Sequence, residues 1–185
     1  MMTELSLNVL DVAYNSVKAK ASLIEITIDA DFSSDVLSIS IKDNGCGMSK
    51  EQVMAVEDPF FTTRTTRKVG LGIPFFKQAA EMAQGSFKIT SEINVGTEVL
   101  ATFRLSSIDR MPLGDMTQTM HQLITFNPQI DFLYTYKVNE KSFVLDTREF
   151  REVLEGVPFD VPEVSEYIKE YLTENKADVD ENLIF

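Results

Sequence analysis

The sequence predicts an α+β fold in which helices lie on one face of a mixed, mostly antiparallel sheet. Three observations predict it. Apolar residues recur at helical spacing through the first twenty residues and again near residues 70–83. Two pairs of segments show apolar residues at every second position, the mark of half-buried strands. Within each pair the strands follow one another directly, so they are expected to pair antiparallel rather than alternate with helices as in a Rossmann sheet.

The elements are expected in the following order. A helix is predicted from about Thr3 to Lys20, free of Gly and Pro, capped by Thr3 or Ser6. Leu7, Leu10, Tyr14 and Val17 would form its apolar stripe. Strands follow at about Leu23–Asp29 and Val36–Lys42, joined by the polar stretch Asp31–Asp35. Ser49 would cap a short helix over about 50–56, with Gln52 completing a capping box. Residues 57–69 read as irregular, because Asp58-Pro59 breaks the chain ahead of a Thr- and Arg-rich run. A third helix is expected from Gly70 to Ala83, with Pro74 in its first turn and Gly85 at its end. Strands at about Ser86–Glu92 and Thr97–Leu105 turn at Asn94-Val95-Gly96.

After Pro112 the pattern changes. A helix at about Asp115–Thr125 precedes a hairpin, Phe132–Val138 and Ser142–Asp146, around Asn139-Glu140. Asp146-Thr147-Arg148-Glu149 has capping-box spacing and should start a helix reaching about Leu154. A last helix is expected at about 163–173, presenting Val164, Ile168, Tyr171 and Leu172, with fraying from Asn175 onward. The expected division is a domain at 1–108 and an acidic α/β extension at 109–185.

Charge supports that division. Of the net charge of −12, residues 1–110 hold 14 acids and 11 bases, whereas residues 111–185 hold 15 acids and only 6 bases. An acidic extension opposes nucleic acid, whose phosphates need cationic partners. Apolar runs fall well short of the ~20 residues of a membrane span. One cysteine excludes an internal disulfide and suits a reducing cytoplasm, where the protein is expected to reside. No metal-spaced Cys/His pairs occur.

Three local patterns carry chemistry. On the first helix, Asn8, Asp11, Asn15 and Lys18 recur at helical spacing as a polar line inside an apolar helix. Such a line is either a solvated stripe or a site: Asn15 offers a neutral oxygen to Mg²⁺, and Asp11, one turn earlier, could orient an attacking water or hydroxyl. At the end of the second strand stands Asp43-Asn44-Gly45-Cys46-Gly47-Met48. The Asp43 carboxylate can accept from an exocyclic amino group, and the glycines let backbone approach a flat ligand, although a plain turn has the same pattern. Third, Lys68-Val69-Gly70-Leu71-Gly72-Ile73 opens a helix, where free N–H groups and the positive dipole end favour an anion. Arg64, Arg67 and Lys68 precede it and could meet phosphate charge.

Taken in order, "DVAYNSVKAKASLIEITI", "IKDNGCGMS", "DPFFTTRTTRKVGLGIPFFKQAAE" and "GTEVLATF" resemble the N box, the two glycine boxes with the intervening lid, and the terminal Gly-Thr of the GHKL ATPases and kinases. That group includes sensor histidine kinases, mismatch-repair ATPases, type II topoisomerases, heat-shock chaperones and anti-sigma-factor kinases. The resemblance covers about residues 4–105 and implies a Bergerat-type pocket for ATP and Mg²⁺. It implies Asn15 as the Mg²⁺ ligand, Asp11 in the general-base position, and Asp43 on the adenine amino group with Thr97 helping through water. Gly45 and Gly47 would shape the adenine floor beside Met48, and Lys18 would lie near the nucleotide. Phe60 and Phe61 would pack the lid base, Arg64 would meet phosphate, and Gly70, Leu71 and Gly72 would offer amides. Two positions depart from the pattern: Lys68 stands where Gly usually opens the second glycine box, and Asp11 stands where hydrolysing members carry Glu.

The extension, "LGDMTQTMHQLITFNPQIDFLYTY", is similar to that of stand-alone ATP-binding proteins of anaerobes encoded near iron hydrogenases. Sensor kinases carry a phosphoacceptor histidine ahead of this region; here the N-box helix starts almost at residue 1, and His121 is the sole histidine. The expectation is therefore a regulatory ATPase or switch with a protein partner on residues 111–185. The alternatives are a kinase acting on a separate partner, or a non-catalytic nucleotide-binding adaptor.

Overall fold

A computed structural model of the chain describes residues 2–57, 72–181, 183 and 185. Six strands form one sheet, with helices packed on one of its faces. The elements are α1 (Leu5–Lys18), β1 (Leu23–Asp31), β2 (Val36–Asp43), α2 (Lys50–Glu57), α3 (Gly72–Met82), β3 (Ser86–Glu92) and β4 (Gly96–Arg104). They continue with α4 (Met116–Phe126), β5 (Asp131–Val138), β6 (Lys141–Asp146), α5 (Thr147–Val153) and α6 (Pro162–Asp180).

The strand order is β3-β4-β2-β1-β5-β6. All neighbours are antiparallel except β1 and β5, which run parallel from Leu23↔Asp131 to Ala30↔Val138. The extension therefore continues the sheet of the first hundred residues. Strand alternation builds the core: Ile24, Ile26 and Ile28 of β1 and Phe132, Tyr134 and Tyr136 of β5 all point to the helix-covered face.

The face that α1 buries is rotated from the predicted one. Leu5, Val9, Val12 and Ala13 enter the core, while Leu7 is 37% exposed and Leu10, Tyr14 and Val17 are half-buried. Tyr14 instead accepts a bond from Gln122 of α4, because α1 packs between α3 and α4 and presents two apolar flanks. The predicted side-chain cap is absent. Glu4 is the N-cap and makes no side-chain cap bond; the first N–H groups of α1, on Leu5 and Ser6, donate to the Pro112 and Leu113 carbonyls. A backbone strap thus satisfies the orphan donors that a Ser or Thr would otherwise meet.

Other caps follow the sequence. Ser49 Oγ accepts from Gln52 N–H while Gln52 Oε1 accepts from Ser49 N–H, the reciprocal capping box. Asp146 caps α5, accepting from Arg148 N–H. At the end of α3 the left-handed residue is Gln84, at φ +59°. Gly85 is required for packing, since a Cβ there would stand 1.7 Å from the Thr102 carbonyl oxygen. The last helix does not fray at Asn175 but runs to Asp180. Val179 is buried, Tyr136 Oη donates to Asp180 over 2.6 Å, and Lys176 pairs with Asp180 one turn away.

Candidate functional site

The site is built where α1, the loop after β2 and the start of α3 converge. Asp43 is the last residue of β2, with Thr97 opposite on β4. Its carboxylate is held from two sides. Ser16 Oγ donates to Oδ2 over 2.6 Å, and Gly45 N–H donates to Oδ1 over 2.8 Å. Each carboxylate oxygen accepts one of these bonds and can accept another, so the group keeps acceptor capacity toward a ligand. Ser16 was not apparent as a site residue from sequence. It is 3% exposed on the core side of α1, and the signal was a hydroxyl where an apolar residue would pack.

The glycine loop is fastened to its surroundings by backbone. Cys46 N–H donates to the Ala19 carbonyl just beyond α1, and Asn94 N–H donates to the Cys46 carbonyl. Asn44 Oδ1 accepts from the N–H groups of Ser22 and Leu23. Gly47 has φ +64°, and a Cβ there would lie 1.9 Å from the Glu92 carbonyl oxygen. A Cβ on Gly45 would stand 2.8 Å from Ala19 Cβ. Both glycines are thus demanded by close packing of chain on chain. Met48 N–H donates to Ser91 Oγ, which also lies 2.8 Å from Thr97 Oγ1. Ser91 is a second residue the sequence reading missed: it joins the loop to the Thr97 hydroxyl.

On α1, Asp11 and Lys18 are exposed and Asn15 is half-buried, so three members of the predicted polar line reach the surface. The fourth, Asn8, is fully buried, with neither amide atom hydrogen-bonded among the described residues. Asp11 and Asn15 are one turn apart, about 6 Å along the axis. The start of α3 lies directly against Asp11: a Cβ on Gly72 would be 3.1 Å from Asp11 Oδ2. Glycine at 72 therefore lets the first turn of α3 approach the carboxylate. The Glu57–Lys77 pair, at 2.7 Å, ties the end of α2 to α3, and the Glu57 partner raises the Lys77 pKa. Phe60, Phe61, Arg64, Arg67, Lys68, Gly70 and Leu71 lie outside the described residues.

The model of the histidine kinase-, DNA gyrase B-, and HSP90-like ATPases matches residues 1–107. The chain belongs to this ATPase family. Among its relatives, a putative sensor protein of Shewanella frigidimarina is 32% identical over 104 residues, covering 56% of this chain and 16% of the relative. The Escherichia coli signal transduction histidine-protein kinase AtoS is 33% identical over 97 residues, covering 52% and 15%. This chain's match thus spans about a sixth of each sensor protein. In fold, the chain is similar to the Aquifex aeolicus MutL ATPase domain complexed with ADP, with a TM-score of 0.55 at 17% identity, covering 84% of this chain and 70% of that one. The N-terminal domain of a DNA repair protein aligns with a TM-score of 0.53 at 17% identity, covering 78% and 53%. These likenesses establish the two-layer Bergerat architecture.

Outside this region, His121 of α4 shares a 2.8 Å hydrogen bond with Ser165 of α6, joining two helices of the extension. No group of three or more potential metal-ligating side chains occurs among the described residues. None of the described helices is long and apolar enough to cross a membrane.

Proposed function

We propose that this ATPase-family chain is a cytoplasmic regulatory switch that binds ATP with Mg²⁺ between α1, the β2 loop and the start of α3. The observation that carries the reading is the Asp43 carboxylate. It is fixed by Ser16 and Gly45, has no cationic partner among the described residues, and stands opposite Thr97. An anionic acceptor held in this way fits a neutral donor such as the adenine amino group. Thr97, through a water, would take a second position on the ring.

The other residues fit the remainder of the nucleotide. Asn15 would supply its amide oxygen to Mg²⁺, an ion that accepts few protein ligands. Bound there, Mg²⁺ would neutralise phosphate charge. Asp11, beside Gly72, would hold a water in line with the terminal phosphate and accept its proton. Lys18 would add positive charge near the pocket. The first turn of α3 would turn its free N–H groups toward phosphate. The unit at 1–108 would carry the nucleotide, and residues 109–185 would carry a protein partner.

Incubation with γ-labelled ATP and Mg²⁺ tests the reading. Slow release of free phosphate is expected from the parent. Asp11→Ala should retain nucleotide affinity and lose turnover by ~10²-fold or more, the usual contribution of a general base. Unchanged turnover would remove Asp11 from that role. A second reading, transfer to a protein, is favoured by the sensor kinases among the relatives; label appearing on a candidate partner would select it. Binding with neither product would select a nucleotide-binding adaptor.

A further inference from the structure

Three apolar side chains stand exposed around the junction of α5 and α6. Val153 is 82% exposed, Val157 42% and Tyr167 53%. Single exposed apolar residues are ordinary, but Tyr167 has a support that reaches the core. Tyr167 packs on Phe150, with ring centroids 5.9 Å apart. Phe150 meets Tyr171 edge-on at 5.2 Å, and Tyr171 meets the buried Phe143 at 6.5 Å. Val153 lies about one turn beyond Phe150 on α5. Tyr167 therefore sits on an aromatic column that continues into the core, which holds it at the surface in one arrangement, with Val153 one turn from Phe150 of that column.

The rim of this surface is acidic. Residues 147–181 contain 11 acids and 4 bases. Three of those bases are engaged, Arg148 with Asp146, Arg151 with Asp131 and Lys176 with Asp180. On α6, Glu166, Glu170, Glu174 and Asp178 repeat at every fourth residue, a spacing at which like charges oppose the helix. None of these four, nor Glu163, is in an ion pair among the described residues. Uncompensated repulsion along an ordered helix is relieved by a cationic partner.

We infer that this face docks a basic amphipathic segment of another protein, with apolar side chains on Val153 and Tyr167 and Lys or Arg against Glu163, Glu166 and Glu170. The inference deepens the partner reading of the extension and rests on it. A second copy of the chain, nucleic acid or an anionic membrane would bring more negative charge to the same face.

The probe is a fluorescein-labelled helical peptide with Lys and Leu on opposite faces, titrated with the full-length protein by anisotropy. Val153→Ser/Tyr167→Ser and Glu163→Gln/Glu166→Gln/Glu170→Gln should each weaken binding about 10-fold or more. Glu81→Gln/Glu98→Gln/Glu140→Gln, which removes equal charge elsewhere, should stay within about 3-fold of the parent. Equal affinity across all of them would reduce the effect to bulk charge and overturn the inference. Self-association of the parent that Val153→Ser/Tyr167→Ser abolishes would overturn it in favour of a second copy. ATP titration of the same proteins separates the two readings. A parent that binds no nucleotide defeats the proposed switch, whereas the peptide titration reads the docking face independently.

Discussion

In the proposed switch, Asp43 would be a side chain prepared in advance for a ligand. A carboxylate at a strand end, free to rotate, would lose entropy on binding; two hydrogen bonds remove that freedom in advance. Ser16 supplies one of them from α1, so the helix is tied to the end of β2 by a 2.6 Å contact beside the Cys46–Ala19 backbone hydrogen bond. Ser16→Ala is expected to weaken ATP binding about 10-fold, the loss of a charge-assisted bond that orients Asp43. Isothermal titration checks it, and an unchanged affinity would show that Asp43 needs no such support. The proposed roles of Asp43 and Asn15 rest on local sequence patterns. Ser16 and Ser91 were not legible in the sequence, since their partners lie 27 and 43 residues away.

At the scale of elements, the clearest tests lie in α6 and β5. Strand alternation made the apolar face of β5 readable, and the buried stripe of α6 was readable from Val164, Ile168 and Leu172. The length of α6 was not, because its last turns are secured by tertiary contacts to Tyr136 and the core. The same distinction explains α1, whose rotation is decided by which neighbours pack on it. Tyr136 also makes α6 sensitive to alkali. Burial and the Asp180 hydrogen bond raise its pKa above the ordinary value of 10.0, and burial does the same to Tyr134. A raised folded pKa means that the folded chain holds protons the unfolded chain releases. That stability is full below about pH 10 and is lost as pH rises above it, by ~1.4 kcal/mol per pH unit for each tyrosine. Urea midpoints should therefore fall from pH 9 to pH 11, and fall less steeply in Tyr136→Phe. Parallel slopes in the two proteins would refute the assignment.

For the whole molecule, the consequential contact is the parallel pairing of β1 with β5. Composition and hairpin signals marked the extension as a separate α/β piece. They carried no information on where it attaches, because strand pairing across a hundred residues leaves no local signal. Pairing puts the extension in the sheet that carries Asp43, and the strap at Pro112 and Leu113 puts it on the N-terminus of the helix that carries Asp11 and Asn15. A chain ending at residue 108 is expected to expose the β1 edge, uncap α1 and aggregate or melt well below the full chain. A soluble fragment with the parent's melting temperature would contradict that. The central claim is nucleotide binding through Asp43, and calorimetric titration of Mg²⁺·ATP into the parent and Asp43→Ala tests it most directly. The expected result is measurable binding by the parent and a loss of about 10-fold to 100-fold in the variant, as for a half-buried charge-assisted bond; equal affinity in the two proteins would contradict it.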